Sequence, residues 1–323
     1  MKGLKDLRNF MIMEKYMNSN FNKLDVLIYG DVMLDVYIKG TSDRLSPEAP
    51  VPVIKKNSKT EVAGGAANVA NNIKSLGGHF SLYGIVGYDG LEINLQMLLD
   101  DGVDGNYCYF FTEYDKPTIT KTRIICNDKQ ICRIDKEEKF DGDVTQETCK
   151  GNFDAVIFSD YNKGSIKEGA QIVIDHCNKK GVPTFADYKN LDYEKYKNVT
   201  VIKLNEKEFY DLGGTDNTKE AGSFIHSILN PKYLIVTRAN KSVLLIEPDE
   251  KEYTKLTDFS VSDVSVADVS GAGDTFLAAL VLSYVNNNTI QESIEFAIKA
   301  AGIKVTKQGT SIVSINEVLD LAK

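Results

Sequence analysis

Short apolar runs and amphipathic segments alternate along most of this chain. DVLIYGD at 25–31 stays apolar until it closes on Gly-Asp, which predicts a buried parallel strand ending at a functional edge. GGAANVANNIKSLGG at 64–78 reads as a helix opened by one glycine pair and stopped by another. FSLYGIVG at 80–87 predicts a second buried strand, and DGLEINLQMLLDDG an amphipathic helix with a glycine stop. From residue 154 the alternation becomes regular. Strands at 154–160, 182–187, 199–205, 233–238 and 242–247, with helices near 165–180, 206–212 and 218–229, lead to a long apolar helix starting near Asp274. Alternation of this kind predicts an α/β fold with a doubly wound, mostly parallel sheet flanked by helices.

Two intervals break the rhythm. Between Val36 and Lys56, VYI and VPVIKK are β-like pieces separated by the proline-bearing SPEAP; PTITKTRIICNDKQICRID at 117–135 reads as a hairpin turning at Asn127-Asp128. Segments 36–56 and 117–136 are therefore expected to form a small β-sheet lid over one edge of the core. The core itself is expected from 24–35, 57–116 and 137–323, with 1–23 as an N-terminal extension. Charges interrupt that extension every few positions, so neither a signal peptide nor a membrane span is expected.

Composition narrows the function classes. With 42% hydrophobic and 26% charged residues, the chain has the balance of a globular protein and not of a disordered one. Its 46 acidic and 38 basic side chains give a net charge of -8, which argues against nucleic-acid binding and demands a local basic pocket for any anionic substrate. Cys108, Cys126, Cys132, Cys149 and Cys177 form no CxxC pair and are odd in number, so free thiols in a reducing cytoplasm are expected. His79, His176 and His226 lack metal-ligand spacing.

The densest chemistry lies in DVSGAGDTFLAAL at 268–280. Gly271, Ala272 and Gly273 let the backbone approach an anion, and the helix that follows offers unpaired N–H groups and the positive end of its dipole. Asp274 beside a phosphate makes sense as the base that takes a proton from an attacking hydroxyl; the structural alternative is a helix cap. Asn205 and Glu208, three apart at a strand-to-helix junction, could hold the water shell of a magnesium ion or simply open a helix. Asp35 with Gly64, Gly65 and Asn68 could hold sugar hydroxyls at strand ends or form a turn and cap. Lys121, Arg123 and Arg133 suit either a substrate phosphate or an exposed sheet face, and Asp160 and Lys163 in SDYNKG carry the same ambiguity.

These residues carry a resemblance. DVSGAGDTFLAALV resembles the C-terminal signature of the ribokinase-like (PfkB) sugar kinases, AGGAANVA at 63–70 resembles their N-terminal signature, and NEKE their Asn-x-x-Glu motif. GDVMLDVY, RLSPEAPVPVIK, KPTITKTRII, SDYNKG and KVTKQGTSIVS are most similar to the heptose-7-phosphate kinase branch, and the likeness covers about residues 24–318. It implies ATP-dependent phosphorylation of the C1 hydroxyl of D-glycero-β-D-manno-heptose 7-phosphate, on the route to ADP-heptose and lipopolysaccharide. Asp274 is then the base, with Gly271, Ala272 and Gly273 as the anion hole. Asp35, Gly64, Gly65 and Asn68 hold the sugar, Asn205 and Glu208 organise Mg2+, Thr237 and Arg238 approach the nucleotide, and Asp268 and Ser270 fall near the family's monovalent-cation site, where binding of K+ stays open.

The chain departs from the family pattern in places. TRANKS at 237–242 lacks the usual turn glycine, and FADYKN lacks the proline of the corresponding Asp-Pro-Lys. Members of the heptose branch often carry a C-terminal nucleotidyltransferase, so with Lys323 as the last residue a separate partner enzyme is expected for that step. A homodimer through the lid is expected as well, because an exposed sheet is a liability in a monomer. Two further readings stay open: another sugar or nucleoside kinase of this family, ribokinase or fructokinase in type, and a binding module without turnover.

Overall fold

A computed structural model describes residues 20–146, 151–189, 192–239, 241–248, 255–261 and 265–320. The N-terminal extension up to residue 19, Cys149 and Asn240 of the TRANKS turn lie outside them. The expected alternation is present. Nine strands form one sheet: β1 (Asp25–Gly30), β4 (His79–Gly87), β5 (Tyr107–Glu113), β8 (Ala155–Asp160), β9 (Thr184–Tyr188), β10 (Val201–Asn205), β11 (Tyr233–Thr237), β12 (Ser242–Glu247) and β13 (Lys255–Ser260). Their spatial order is β13-β12-β11-β10-β9-β8-β1-β4-β5, parallel except where β12 and β13 add antiparallel at one edge.

Helices cover both faces. On one side α1 (Ala66–Ser75), α2 (Leu91–Leu99), α6 (Ala272–Val285) and α7 (Ile290–Val305) pack a core that includes Val69, Leu95, Leu280 and Ile294. On the other, α3 (Gly169–Lys180), α4 (Glu206–Gly213) and α5 (Thr218–Leu229) supply Ile174, Phe209 and Ile225. The short α8 (Ile315–Asp320) closes the described chain. Burial on both faces explains why β1 and β8 read as apolar runs, and why β10 is apolar apart from Lys203.

The second sheet has the order β3-β2-β6-β7, from β2 (Val32–Thr41), β3 (Lys55–Gly65), β6 (Thr120–Cys126) and β7 (Lys129–Lys136). It takes in more of the chain than the intervals 36–56 and 117–136. The strand after SPEAP begins at Lys55 and runs to Gly65, and β2 leaves the large sheet directly after Asp31, with the proline-bearing loop between them. The β6–β7 hairpin turns at Asn127-Asp128 with φ of 49° and 61°, the left-handed pair a tight two-residue turn needs. Periodicity missed β5 and β13. Both are edge strands; polar KLTDFS hides β13, whereas β5 is an aromatic run, YCYFF, with Tyr107, Tyr109 and Phe111 exposed at the sheet edge.

Among the described residues no helix is long and apolar enough to cross a membrane, and Cys108, Cys126, Cys132 and Cys177 are free thiols.

Candidate active site

Sheet order decides where the chemistry collects. From β1 the chain builds outward through β4 and β5 on one side and through β8 to β11 on the other, so the connections reverse between β1 and β8. Ligands bind beyond the carboxyl ends of the strands at such a reversal. Because these strands are parallel and in register, Gly30 beside Ser159, Asp160 beside Tyr188 and Asn205 beside Thr237 line one edge.

Asp31 fixes the reversal point. It is fully buried, and its carboxylate accepts N–H bonds from Tyr161 (2.8 Å), Lys163 (2.9 Å) and Ser165 (3.0 Å), folding the segment after β8 back over the end of β1. That fold delivers Tyr161, whose hydroxyl donates to Asp274 Oδ1 at 2.6 Å. Across the site Asn68 Nδ2 donates to Asp274 Oδ2 at 2.6 Å, so α1 and α6 meet on one carboxylate. Behind Asn68, Asn72 Nδ2 donates to its backbone carbonyl at 2.8 Å and Thr275 Oγ1 donates to Asn72 Oδ1 at 2.7 Å. Burial pushes Asp274 above the ordinary carboxylate value and Asp187 adds to it, against the opposing donors Tyr161 and Asn68 and the charge of Lys203. A buried carboxylate with a raised pKa at a helix start has the character of a general base.

Helix α6 opens earlier than expected, at Ala272, so Ala272 and Gly273 lie in its first turn and Gly271 alone makes the bend before it. Gly271 caps α6 with φ of 77°, and a Cβ there would stand 2.8 Å from Asn68 Nδ2, so both the left-handed backbone and the close approach require glycine. At the other glycine pair, a Cβ on Gly64 would stand 2.7 Å from Asp35 Oδ2, and Gly65 begins α1 with φ of 58°. Lys203 Nζ, buried in β10, would lie 3.1 Å from a Cβ on Gly273 and pairs with Asp187 Oδ2 at 2.6 Å. Lys189 joins Asp187 to Glu208, at 3.0 Å from each carboxylate.

Other expected site residues have definite partners. Asp35 is buried and pairs with Arg123 at 2.5 Å, whose guanidinium lies 5.2 Å from the centre of the Tyr37 ring. Lys121 and Lys163, from different segments, converge on Glu137 at 2.9 and 2.8 Å, and Lys163 and then Lys121 hold its carboxyl below the ordinary range. Arg133 is half exposed and grips Asp135 with two bonds. Asp160 is buried against Tyr196 and Lys195, at 2.7 and 3.0 Å. Asn205 and Glu208 form a reciprocal capping box on α4, the helix-opening alternative, with Glu208 Oε2 accepting Asn205 N–H at 2.8 Å. Thr237 Oγ1 donates to the Leu204 carbonyl at 3.3 Å, and Arg238 pairs with Asp258 on β13. Asp268 accepts N–H bonds from Ser270 at 2.8 Å and Gly309 at 2.9 Å; burial pushes its pKa up, but these donors outweigh it and leave the group below the ordinary value.

Tyr161, Lys203, Asp187 and Asn72 join the expected residues at this site. A signal existed for Tyr161, one residue beyond an expected strand end. Lys203 sits inside an apolar run, where only its apolar neighbours show.

Comparison with known proteins gives the family and the fold. Residues 23–317 match the model for pfkB family carbohydrate kinases. The bifunctional protein HldE of Haemophilus influenzae strain PittEE is 39% identical over 311 residues, 93% of this chain and 64% of HldE. HldE of Salmonella dublin is 37% identical over 304 residues, 91% of this chain and 62% of its own length. The chain thus spans just under two thirds of those relatives. Among solved structures, a ribokinase from Arabidopsis thaliana complexed with ribose and ATP superposes with a TM-score of 0.71 at 22% identity, covering 93% and 98% of the two chains. Phosphofructokinase-2 from Escherichia coli in complex with potassium gives 0.72 at 18% identity, with the same coverage. At that identity the likeness shows the fold alone, which is ribokinase-like. Both signature turns, the family match and the relatives agree: the chain belongs to the pfkB family of carbohydrate kinases.

Proposed function

We propose that the chain phosphorylates the C1 hydroxyl of D-glycero-β-D-manno-heptose 7-phosphate with ATP, giving the 1,7-bisphosphate for ADP-heptose synthesis in the cytoplasm. The observation that carries the phosphoryl-transfer reading is Asp274, buried at the start of α6 beside the Gly271–Gly273 turn and held at both oxygens. In this reading Asp274 takes the proton of the sugar hydroxyl. The N–H groups of the turn receive the charge that develops on the transferred group. ATP supplies that group, and Asp35 orients the sugar from the small sheet.

The identity of the sugar rests on the heptose-like stretches and on the cations near Glu137. Lys121 and Lys163 share one carboxylate, so a substrate phosphate could take its place without leaving them unpaired. Magnesium suits these residues only when nucleotide phosphates bring it. Both oxygens of Glu208 are engaged, and no group of three or more His, Cys, Asp or Glu among the described residues could hold a metal. Contact through water agrees with the few protein ligands magnesium takes at phosphate sites. The product would pass to a nucleotidyl-transferring partner.

A substrate panel tests the reading. Turnover is expected with heptose 7-phosphate and not with the unphosphorylated heptose, ribose or fructose; equal turnover of the unphosphorylated sugar would refute it. Lys121→Glu is expected to raise KM for the phosphorylated sugar about 10-fold or more, the worth of one charge-assisted contact, with little change for ATP. A homodimer through the small sheet is also proposed. Its edge strand β7 is exposed along its length and carries Ile131 and Ile134. A monomer at all concentrations in light scattering would rule that out.

A further inference from the structure

Lys304, in the last turn of α7, has no exposed surface, and the phosphoryl-transfer chemistry above makes no use of it. A buried ammonium is costly unless it is paired or bonded, so its surroundings should explain it. Lys304 Nζ donates to the Gly309 carbonyl at 2.7 Å, and the N–H of the same Gly309 donates to Asp268 Oδ2 at 2.9 Å. An ammonium and a carboxylate therefore grip one left-handed glycine, φ 67°, from its two sides. Asp268 Oδ1 in turn accepts the N–H of Ser270, and Lys304 Cε would lie 3.7 Å from a Cβ on Gly271. The positive charge stands beside the turn that is built to meet a phosphate.

Asp268 and Ser270 are the residues at which a monovalent cation is expected, and they do not suit an added one. Both Asp268 oxygens already receive N–H donors, the Gly309 carbonyl is taken by Lys304, and a second cation beside the ammonium would be repelled. An ammonium group and a potassium ion carry the same charge and are similar in size, so one can replace the other beside a carbonyl oxygen such as that of Gly309. We infer that the Lys304 ammonium is a built-in substitute for the monovalent cation: it orders the 268–273 turn through Gly309 and Asp268, and the kinase needs no potassium. Burial lowers the Lys304 pKa, and the Asp268 carboxylate opposes that fall in part. Lys304 is a positioning residue in this account, since it acts through the turn and touches neither substrate.

The inference rests on the sugar-kinase reading for its activity arm only. Turnover and thermal unfolding are measured in potassium, sodium and tetramethylammonium chloride at equal ionic strength. The wild-type chain is expected to give the same kcat and the same Tm in all three; a kcat or Tm raised by potassium over sodium overturns the inference. Lys304→Met is expected to lose roughly 100-fold in kcat with KM for sugar little changed, the scale of a disordered anion hole, and potassium should restore part of that loss. Unchanged kcat in Lys304→Met overturns the inference, and so does a fall that no alkali cation repairs, which would make Lys304 a loop clamp only. If Lys304→Met does not fold, the wild-type salt comparison decides alone. Absence of turnover on every heptose phosphate would defeat the substrate reading, yet leave the unfolding comparison intact because it needs no substrate.

Discussion

Asp274→Asn separates catalysis from stability at one buried atom. Asparagine keeps the shape: with its carbonyl toward Asn68 Nδ2 and its amide toward the Tyr161 hydroxyl, which can turn to accept, both 2.6 Å contacts survive. What disappears is the base. Loss of general-base catalysis costs about 10²–10⁴ in kcat, or about 3–5 kcal/mol of barrier. Stability should move the other way. Exchanging two bonds to a charged acceptor for neutral ones loses about 1 kcal/mol each, whereas burying an ion costs several kcal/mol. Burial, with Asp187, outweighs Tyr161, Asn68 and Lys203 in the wild-type chain, because the net pKa of Asp274 is raised. A group raised in the folded state contributes its stability below the unfolded value of 3.8 and loses it as pH rises through the folded value. At pH 7 the charge is therefore a net burden, and Asp274→Asn should unfold at the same or a higher temperature, with about 2 °C for each kcal/mol gained. That advantage should shrink as pH falls toward 3.8. Steady-state turnover and calorimetry across pH check both halves. A variant that keeps kcat within about 10-fold refutes the base assignment, and a lowered Tm at neutral pH refutes the account of burial.

Two further changes test neighbouring links. Tyr161→Phe removes one donor from Asp274, so the acid limb of the kcat–pH profile should move to higher pH and stability should fall by about 1–3 kcal/mol; an unmoved limb would mean that the hydroxyl does not act on the carboxylate. Ala239, in the TRANKS turn, adopts φ of 48°, a left-handed conformation that costs a non-glycine residue about 1–2 kcal/mol. After the extra chain entropy of glycine, Ala239→Gly should stabilise by about 0.5–1 kcal/mol in denaturant unfolding, and a loss would show that the alanine methyl packs usefully.

Sequence alone determined whatever rests on local rules. Apolar runs gave the central strands, the Asn127-Asp128 turn the hairpin, and glycine against helix start the Gly271 turn, because backbone preference and burial period are legible within a few residues. Even the capping box at Asn205 and Glu208 follows from four consecutive residues, although the same four suggested magnesium. Tertiary structure decided which side chains meet. Parallel strands need long crossovers, so neighbours in space are far apart in the chain: Asn68 reaches Asp274 across 206 positions and Tyr161 across 113. No periodicity records such a meeting, nor does it show that Lys304, one cation in a mixed helix, turns inward to grip Gly309 beside the anion turn. Edge strand β13 stayed hidden for the converse reason, since a strand with one neighbour and a solvent face, such as KLTDFS, has little apolar pattern to read.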